Sequence, residues 1–182
     1  MKATGIVRRI DELGRVVIPK EIRRTLHIRE SDPLEIFTDR EGQIILKKYS
    51  PIGELSAFAK QYAESLAQTL NSLVCICDMD QVIAASGAGK KELYGQPVSS
   101  QFQKTIEGRS SVTAQTGDHR YVNILYGQQE EFLAEVIVPI ICEGDVVGGV
   151  VVLNKDPKRK FADTEFKMAT CAAAFLGKQM EQ

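Results

Sequence analysis

Two hydrophobic rhythms run along this chain. From Thr4 to Ile10 (TGIVRRI) and again from Arg15 to Ile18 (RVVI), β-branched residues form short runs on either side of Asp11-Glu12-Leu13-Gly14, a pattern that predicts a hairpin. Pro19 removes a backbone donor and fixes φ, so it ends the second strand and opens a helix of barely two turns. That helix is expected to run to about His27, with Ile22 and Leu26 four residues apart on one face. A second hairpin follows, PLEIFTD (33–39) against QIILKK (43–48) across Arg40-Glu41-Gly42. The predicted order is ββαββ within fifty residues.

Tyr49-Ser50-Pro51-Ile52-Gly53 carries two breakers and reads as a connection. Beyond it Leu55, Ala59, Tyr62, Leu66, Thr69 and Leu73 recur at steps of four and three, one face of a long helix. Near the other end Asp163 is placed to cap a helix in which Phe166, Ala169, Ala173, Leu176 and Met180 repeat that rhythm. Between them lie four strand-rich stretches, 73–87, 120–127, 131–145 and 146–155, with Glu143-Gly144-Asp145 as a hairpin turn. Short helical pieces are expected near 90–94 and 99–107. The expected division is a domain over 1–50, a linker over 51–54 and an α+β domain over 55–182. The terminal helices of that second domain can pair again between copies as a bundle.

Two glycine signals have plain readings. Ser86-Gly87-Ala88-Gly89-Lys90-Lys91 lacks the spacing of a phosphate loop and is better read as a hairpin-to-helix turn. Gly148-Gly149 inside a valine run predicts a bulge or close packing.

Fifty residues hide little apolar surface by themselves, and the segment carries no metal-site pattern and no cysteine. Another copy of the chain is the remaining source of a core, so an obligate dimer is expected.

Composition adds little until it is divided. With 43% hydrophobic and 26% charged residues over 182 positions, the chain is of the ordinary globular class. Its 23 Lys+Arg nearly balance 24 Asp+Glu. Residues 1–50, however, hold 11 basic against 8 acidic residues, and residues 1–24 hold 7 against 3. A basic module joined to an acidic one is implied. Lys2, Arg8 and Arg9 interrupt any signal-like run, and no window reaches the length of a membrane span, so a cytoplasmic protein with no membrane partner is expected. Cys75, Cys77, Cys142 and Cys171 are too irregular for a disulfide framework and read as buried thiols. No metal site and no cofactor is expected.

The cations are the candidate chemistry. Arg8 and Arg9 lie on the first strand, Arg15 opens the second, and Lys20, Arg23 and Arg24 lie on the helix, so the charge forms a surface. Double-stranded DNA fits such a surface, because guanidinium groups bind phosphate bidentately, read guanine edges and stay charged at physiological pH. A solvated face with ion pairs to Asp11, Glu12 and Glu21 fits the charge pattern equally well.

Residues 1–50, with TGIVRRIDELGRVVIPKEIRRTLHI followed by DPLEIF and IILKKY, resemble the N-terminal DNA-binding domain of the AbrB family of bacterial transition-state regulators. The resemblance implies a swapped-hairpin β-barrel dimer that binds DNA through Arg8, Arg15, Arg23 and Arg24, with Arg9 and Lys20 as weaker candidates. The rest of the chain, with CICDMDQVIAASG and VVGGVVVL, resembles a GAF sensor domain. That second resemblance implies an α+β fold that often encloses a small-molecule pocket, whose wall here would include Cys75, Cys77, Tyr94, Phe102, Tyr121, Asn123 and Tyr126. The ligand is not indicated, and a domain that serves only to oligomerise is the simpler alternative. Together the two modules resemble a sporulation regulator, a likeness that implies activation and repression of genes in the developing spore, and a dimer through residues 1–50 and a tetramer through the second domain are expected. Two rivals remain. One is an antitoxin-like protein-binding module, since swapped hairpins also occur there. The other is a thiol enzyme of GAF type, for which Cys75-x-Cys77 has no adjacent base.

Overall fold

The computed structural model describes residues 5–26, 28–50, 52, 56–128 and 132–181. The chain divides into two compact units, Met1–Tyr49 and Ser50–Gln182.

In the first unit Pro19 stands immediately before helix α1 (Lys20–Thr25), and its carbonyl accepts from the Arg23 N–H at 3.0 Å. Proline suits this place, since its missing N–H would have had no partner in the first turn. The expected end of the helix at His27 lies outside the described residues. Strands β1 (Leu34–Thr38) and β2 (Ile44–Lys48) form the second hairpin, antiparallel, with Leu34 opposite Lys48 and Thr38 opposite Ile44. Asp39 closes its tip by accepting from the Glu41 and Gln43 N–H groups, both at 2.9 Å.

The first hairpin is only half present in a single chain. Its tip is formed, because Asp11 exchanges backbone bonds with Arg15 and Gly14, and its carboxylate accepts from the Leu13 and Arg15 N–H groups. Its arms, read as strands over 4–10 and 15–18, make no ladder among the described residues. A strand needs a neighbour, and among the described residues neither arm is paired in a sheet. Pro19 is the single buried residue among those described in this unit.

The second unit is built differently. Its five strands, β3 (Leu73–Cys77), β4 (Val82–Ser86), β5 (Val112–Gln115), β6 (Ala134–Cys142) and β7 (Asp145–Asn154), form one antiparallel sheet in the order β4-β3-β7-β6-β5. Every residue of β3 is buried, so the sheet is covered on both faces. On one face pack α2 (Ser56–Leu70) and α5 (Asp163–Gln179), whose Leu66, Leu70, Ala172 and Leu176 meet Val74, Ile76, Val136, Val138 and Val152. The other face carries Leu73, Cys75, Cys77, Ile137, Val151 and Leu153, covered by Phe102 and Ile106 of α4 (Ser100–Glu107) and by Val122 and Ile124. The four-residue helix α3 (Lys90–Leu93) follows β4.

Local chemistry sets the ends of these elements. The helical periodicity predicted Leu73 at the end of the long helix, but α2 stops at Leu70 and Leu73 begins β3. Asn71, at φ 43°, turns the chain. The Ser72 N–H reaches the Ala67 carbonyl and the Asn71 N–H reaches that of Gln68, an arrangement that closes a helix with a left-handed residue. Ala162 caps α5, where Asp163 was expected, and its N–H donates to Glu165 Oε2 at 2.9 Å. Glu143 and Gly144, at φ 47° and 89°, make the two-residue turn between β6 and β7. A Cβ on Gly148 would stand 2.1 Å from the Cys77 carbonyl oxygen, so the glycine is required for β7 to lie against β3.

The stretch 120–127, expected as a strand, is instead a loop tied down by side chains. Glu135 Oε1 accepts from the Val122 N–H, Gln101 Oε1 from Asn123, and Gln128 Oε1 from both Ile124 and Leu125. These carboxylate and amide oxygens stand in for the missing ladder. The short strand β5 buries only Ala114 of its VTAQ, too brief and polar a pattern to have been predicted.

Candidate nucleic-acid interface

The six predicted cations all lie in the first unit, and all are exposed. Arg15 sits at the end of the Asp11 turn, where its Nε donates to Asp11 Oδ2 at 2.8 Å. The Arg15 backbone N–H and then its guanidinium hold the Asp11 carboxyl below the usual carboxylate range. Asp11 therefore stays ionised and orients Arg15. Arg8 Nη1 donates to the Val7 carbonyl at 3.3 Å. Arg23 and Arg24 occupy the last turn of α1 and Lys20 its first position. Among the described residues Arg9, Lys20, Arg23 and Arg24 form no ion pair, whereas the solvated-face alternative would pair them with Glu12 and Glu21.

Large apolar side chains stand among these cations. Val7 is 84% exposed and Val17 72%, with Ile10, Leu13, Val16 and Leu26 also open. Exposed valines and leucines beside arginines, on a hairpin that lacks its ladder, mark an apolar face that a single chain does not close.

The second unit separates the residues expected to line one pocket. Cys75, Cys77 and Phe102 are sealed in the core of the sheet face opposite α2 and α5. Tyr126, 79% exposed, lies at the mouth of a cavity of about 320 Å³ with Leu73, Leu93, Leu125 and Lys155. Tyr94 opens on a different cavity beside β4. Asn123 is exposed, and half-buried Tyr121 accepts through its hydroxyl from the Phe132 N–H at 3.1 Å. Cys75, Cys77 and Phe102 share one core cluster, while Tyr126 and Tyr94 line two separate cavities.

Burial pushes the Cys75 thiol up to about 12 and that of Cys77 well above its ordinary value, which leaves both protonated and unreactive. Contrary to the expectation of buried thiols throughout, Cys142 is half-buried and Cys171 exposed. Among the described residues no group of His, Cys, Asp and Glu is arranged to hold a metal.

Sequence reasoning missed one titratable group. Glu135 of β6 is fully buried, its Oε1 accepts from the Val122 N–H at 2.7 Å, and its Oε2 has no hydrogen-bond partner among the described residues. Desolvation raises its carboxyl to about 7. A lone acid within AEVIVPII was the available signal.

A basic hairpin-and-helix module joined to a five-stranded antiparallel sheet flanked by helices defines a two-part protein whose second unit has a GAF-like α+β fold. The second unit resembles the GAF domain of an Acinetobacter phosphoenolpyruvate-protein phosphotransferase, with a TM-score of 0.58 at 17% identity over 69% of this chain and 81% of that one, a likeness of fold. Residues 54–181 match the family described as stage V sporulation protein T C-terminal, transcription factor. Over all 182 residues the chain is 52% identical to stage V sporulation protein T of Bacillus subtilis (strain 168), covering 100% of both. The chain belongs to the stage V sporulation protein T family of transcription factors. Fifty-one residues, 28% of the chain, are 71% identical to the transition state regulatory protein AbrB of the same organism, of which they span 52%. Residues 7–54 also match the family described as antidote-toxin recognition MazE, bacterial antitoxin.

Proposed function

We propose that the chain is a DNA-binding regulator of sporulation genes, activating some and repressing others, whose first fifty residues bind duplex DNA as an intertwined dimer. The observation that carries this reading is the unclosed apolar face of the first unit, set among exposed arginines, in a chain that belongs to a transcription-factor family. Two copies exchanging hairpins supply the missing ladders and bury Val7, Ile10, Val16 and Val17. Arg8, Arg15, Arg23 and Arg24 of both copies then meet phosphates and guanine edges, with Arg9 and Lys20 at the margin. Domain boundaries at 1–50 and 55–182 follow from this division of labour.

The second unit joins two such dimers into a tetramer through α2 and α5, where Phe175 stacks on Phe58 and Tyr62 at 5.7 and 5.2 Å between ring centroids. The protein works in the cytoplasm without catalysis of its own. The protonated, buried Cys75 and Cys77 support the second point, and among the described residues no helix is long and apolar enough to cross a membrane. A small-molecule ligand would enter the cavity beside Tyr126 and Lys155, which opens over the same sheet face as the buried Cys75 and Cys77.

If eight arginines neutralise phosphates, log affinity falls with log salt at a slope of about −7. Arg15→Ala, Arg23→Ala and Arg24→Ala each flatten that slope by about 1 to 2 units in the dimer and leave the dimer intact. Mobility-shift titrations at several salt concentrations check this, and three variants with the parent's slope would overturn it. The match of residues 7–54 to an antitoxin family favours a second reading, a toxin-binding module. A small protein recovered at one-to-one stoichiometry, with no retention of duplex DNA, would establish that reading instead.

A further inference from the structure

The sheet of the second unit has an open edge. Strand β4 pairs with β3 on one side, while on its other side the backbone of Val82 alone is tied, to Gly95 and Gln96. Among the described residues, Ala84 to Ser86 have no backbone partner on that outer side. Along the edge runs a cavity of about 550 Å³ lined by the strand at residues 83–85, by Lys60 of α2, by Lys90 and Lys91 of α3, and by Tyr94. Tyr94 is 65% exposed. Among the described residues none of the three lysines has an ion-pair partner and no acidic side chain lines the cavity.

Edge strands are ordinarily blunted by charges or proline of their own. Strand β4, VIAAS, carries neither. The charges stand on the flanking helices, where they leave the edge accessible and make its approach positive. A free strand edge offers N–H donors and carbonyl acceptors in alternation, and another peptide backbone matches both. Phosphates offer acceptors alone, so duplex DNA does not match this edge.

We propose that the β4 edge is a docking site for an extended acidic segment of a partner protein, which adds a strand beside β4 and sets its carboxylates against Lys60, Lys90 and Lys91. Backbone bonds supply the affinity, the apolar lining takes the inward side chains, and the lysines select acidic sequences. The site lies in the second unit and goes beyond the DNA-binding reading, which survives or fails independently.

The test uses the full chain and a fluorescein-labelled decapeptide of alternating glutamate and valine, followed by fluorescence polarisation. Saturable micromolar binding is expected, with slowed amide exchange confined to residues 82–87. N-methylation of alternate peptide nitrogens, which removes donors and keeps charge, should weaken binding at least about tenfold, as should the combined Lys60→Glu, Lys90→Glu and Lys91→Glu variant. Equal binding of the methylated peptide would mean charge attraction alone and would overturn the proposal. So would displacement of the peptide by non-operator duplex, or a change in oligomeric state in the lysine variant, which would make the groove a contact between copies. Should that variant melt differently from the parent, the methylated peptide decides on its own.

Discussion

The two units of this chain spend their apolar residues in opposite ways. The second seals a five-stranded sheet between two helices on one face and a helix with an anchored loop on the other, and Val74, Ile76, Val136, Val150 and Val152 are fully buried there. The first has comparable valines and isoleucines, yet Val7, Ile10 and Val17 stand in the open. One unit closes its own core, while the described residues of the other leave their apolar side chains open, as the proposed dimer requires. Apolar content therefore does not measure self-sufficiency. What matters is whether each strand finds a neighbour within its own chain.

Breaking this contrast begins with Val17→Lys. At an ordinary exposed position such a change costs less than about 0.5 kcal/mol. Here it is expected to abolish dimerisation and DNA binding together, measured by light scattering and duplex titration, while the second unit melts unchanged. Gly148→Ala attacks the other side of the comparison. Its new Cβ meets the Cys77 carbonyl in a packed sheet, and a loss of about 3 kcal/mol or more in second-unit stability is expected, independent of protein concentration in denaturant titrations.

Glu135 gives a pH-dependent handle on the second unit. Its folded carboxyl lies near 7, above its ordinary 4.5, so the folded state holds a proton that the unfolded chain releases. The stabilising contribution of this carboxyl is therefore complete below about pH 4.5, declines as pH rises towards 7 and levels off above it, a span of about 3 kcal/mol. Glu135→Gln should flatten that decline in denaturation measured from pH 5 to 8. The smallest effect is expected at Asn71, where the positive φ suits asparagine or glycine. Asn71→Ala should cost about 1 kcal/mol and Asn71→Gly nearly nothing, read from thermal melts.

Much of the second unit was legible in the residues. The β3–β4 hairpin, the Glu143-Gly144 turn, both terminal helices and the close packing at Gly148 each rest on a local signal of periodicity or turn chemistry. Loop 120–127 was misread because RYVNILYG has the composition of a strand, and what holds it is a set of acceptors on Glu135, Gln101 and Gln128, contributed from other elements. The cations of the first unit were legible individually. The proposed pocket was not, since Tyr94, Phe102 and Tyr126 owe their directions to separate elements.

The sequence alone determined the two-part organisation, the basic character of the first fifty residues and their resemblance to AbrB-type regulators, because charge segregation and hydrophobic period are written locally. Only tertiary structure decided that Glu135 is fully buried, that Cys75 and Cys77 are sealed away, and that β4 is an edge beside three lysines with no ion-pair partner among the described residues. Those properties belong to the order in which strands meet in a sheet, and strand order depends on contacts between residues far apart in the chain, which no short-range pattern records.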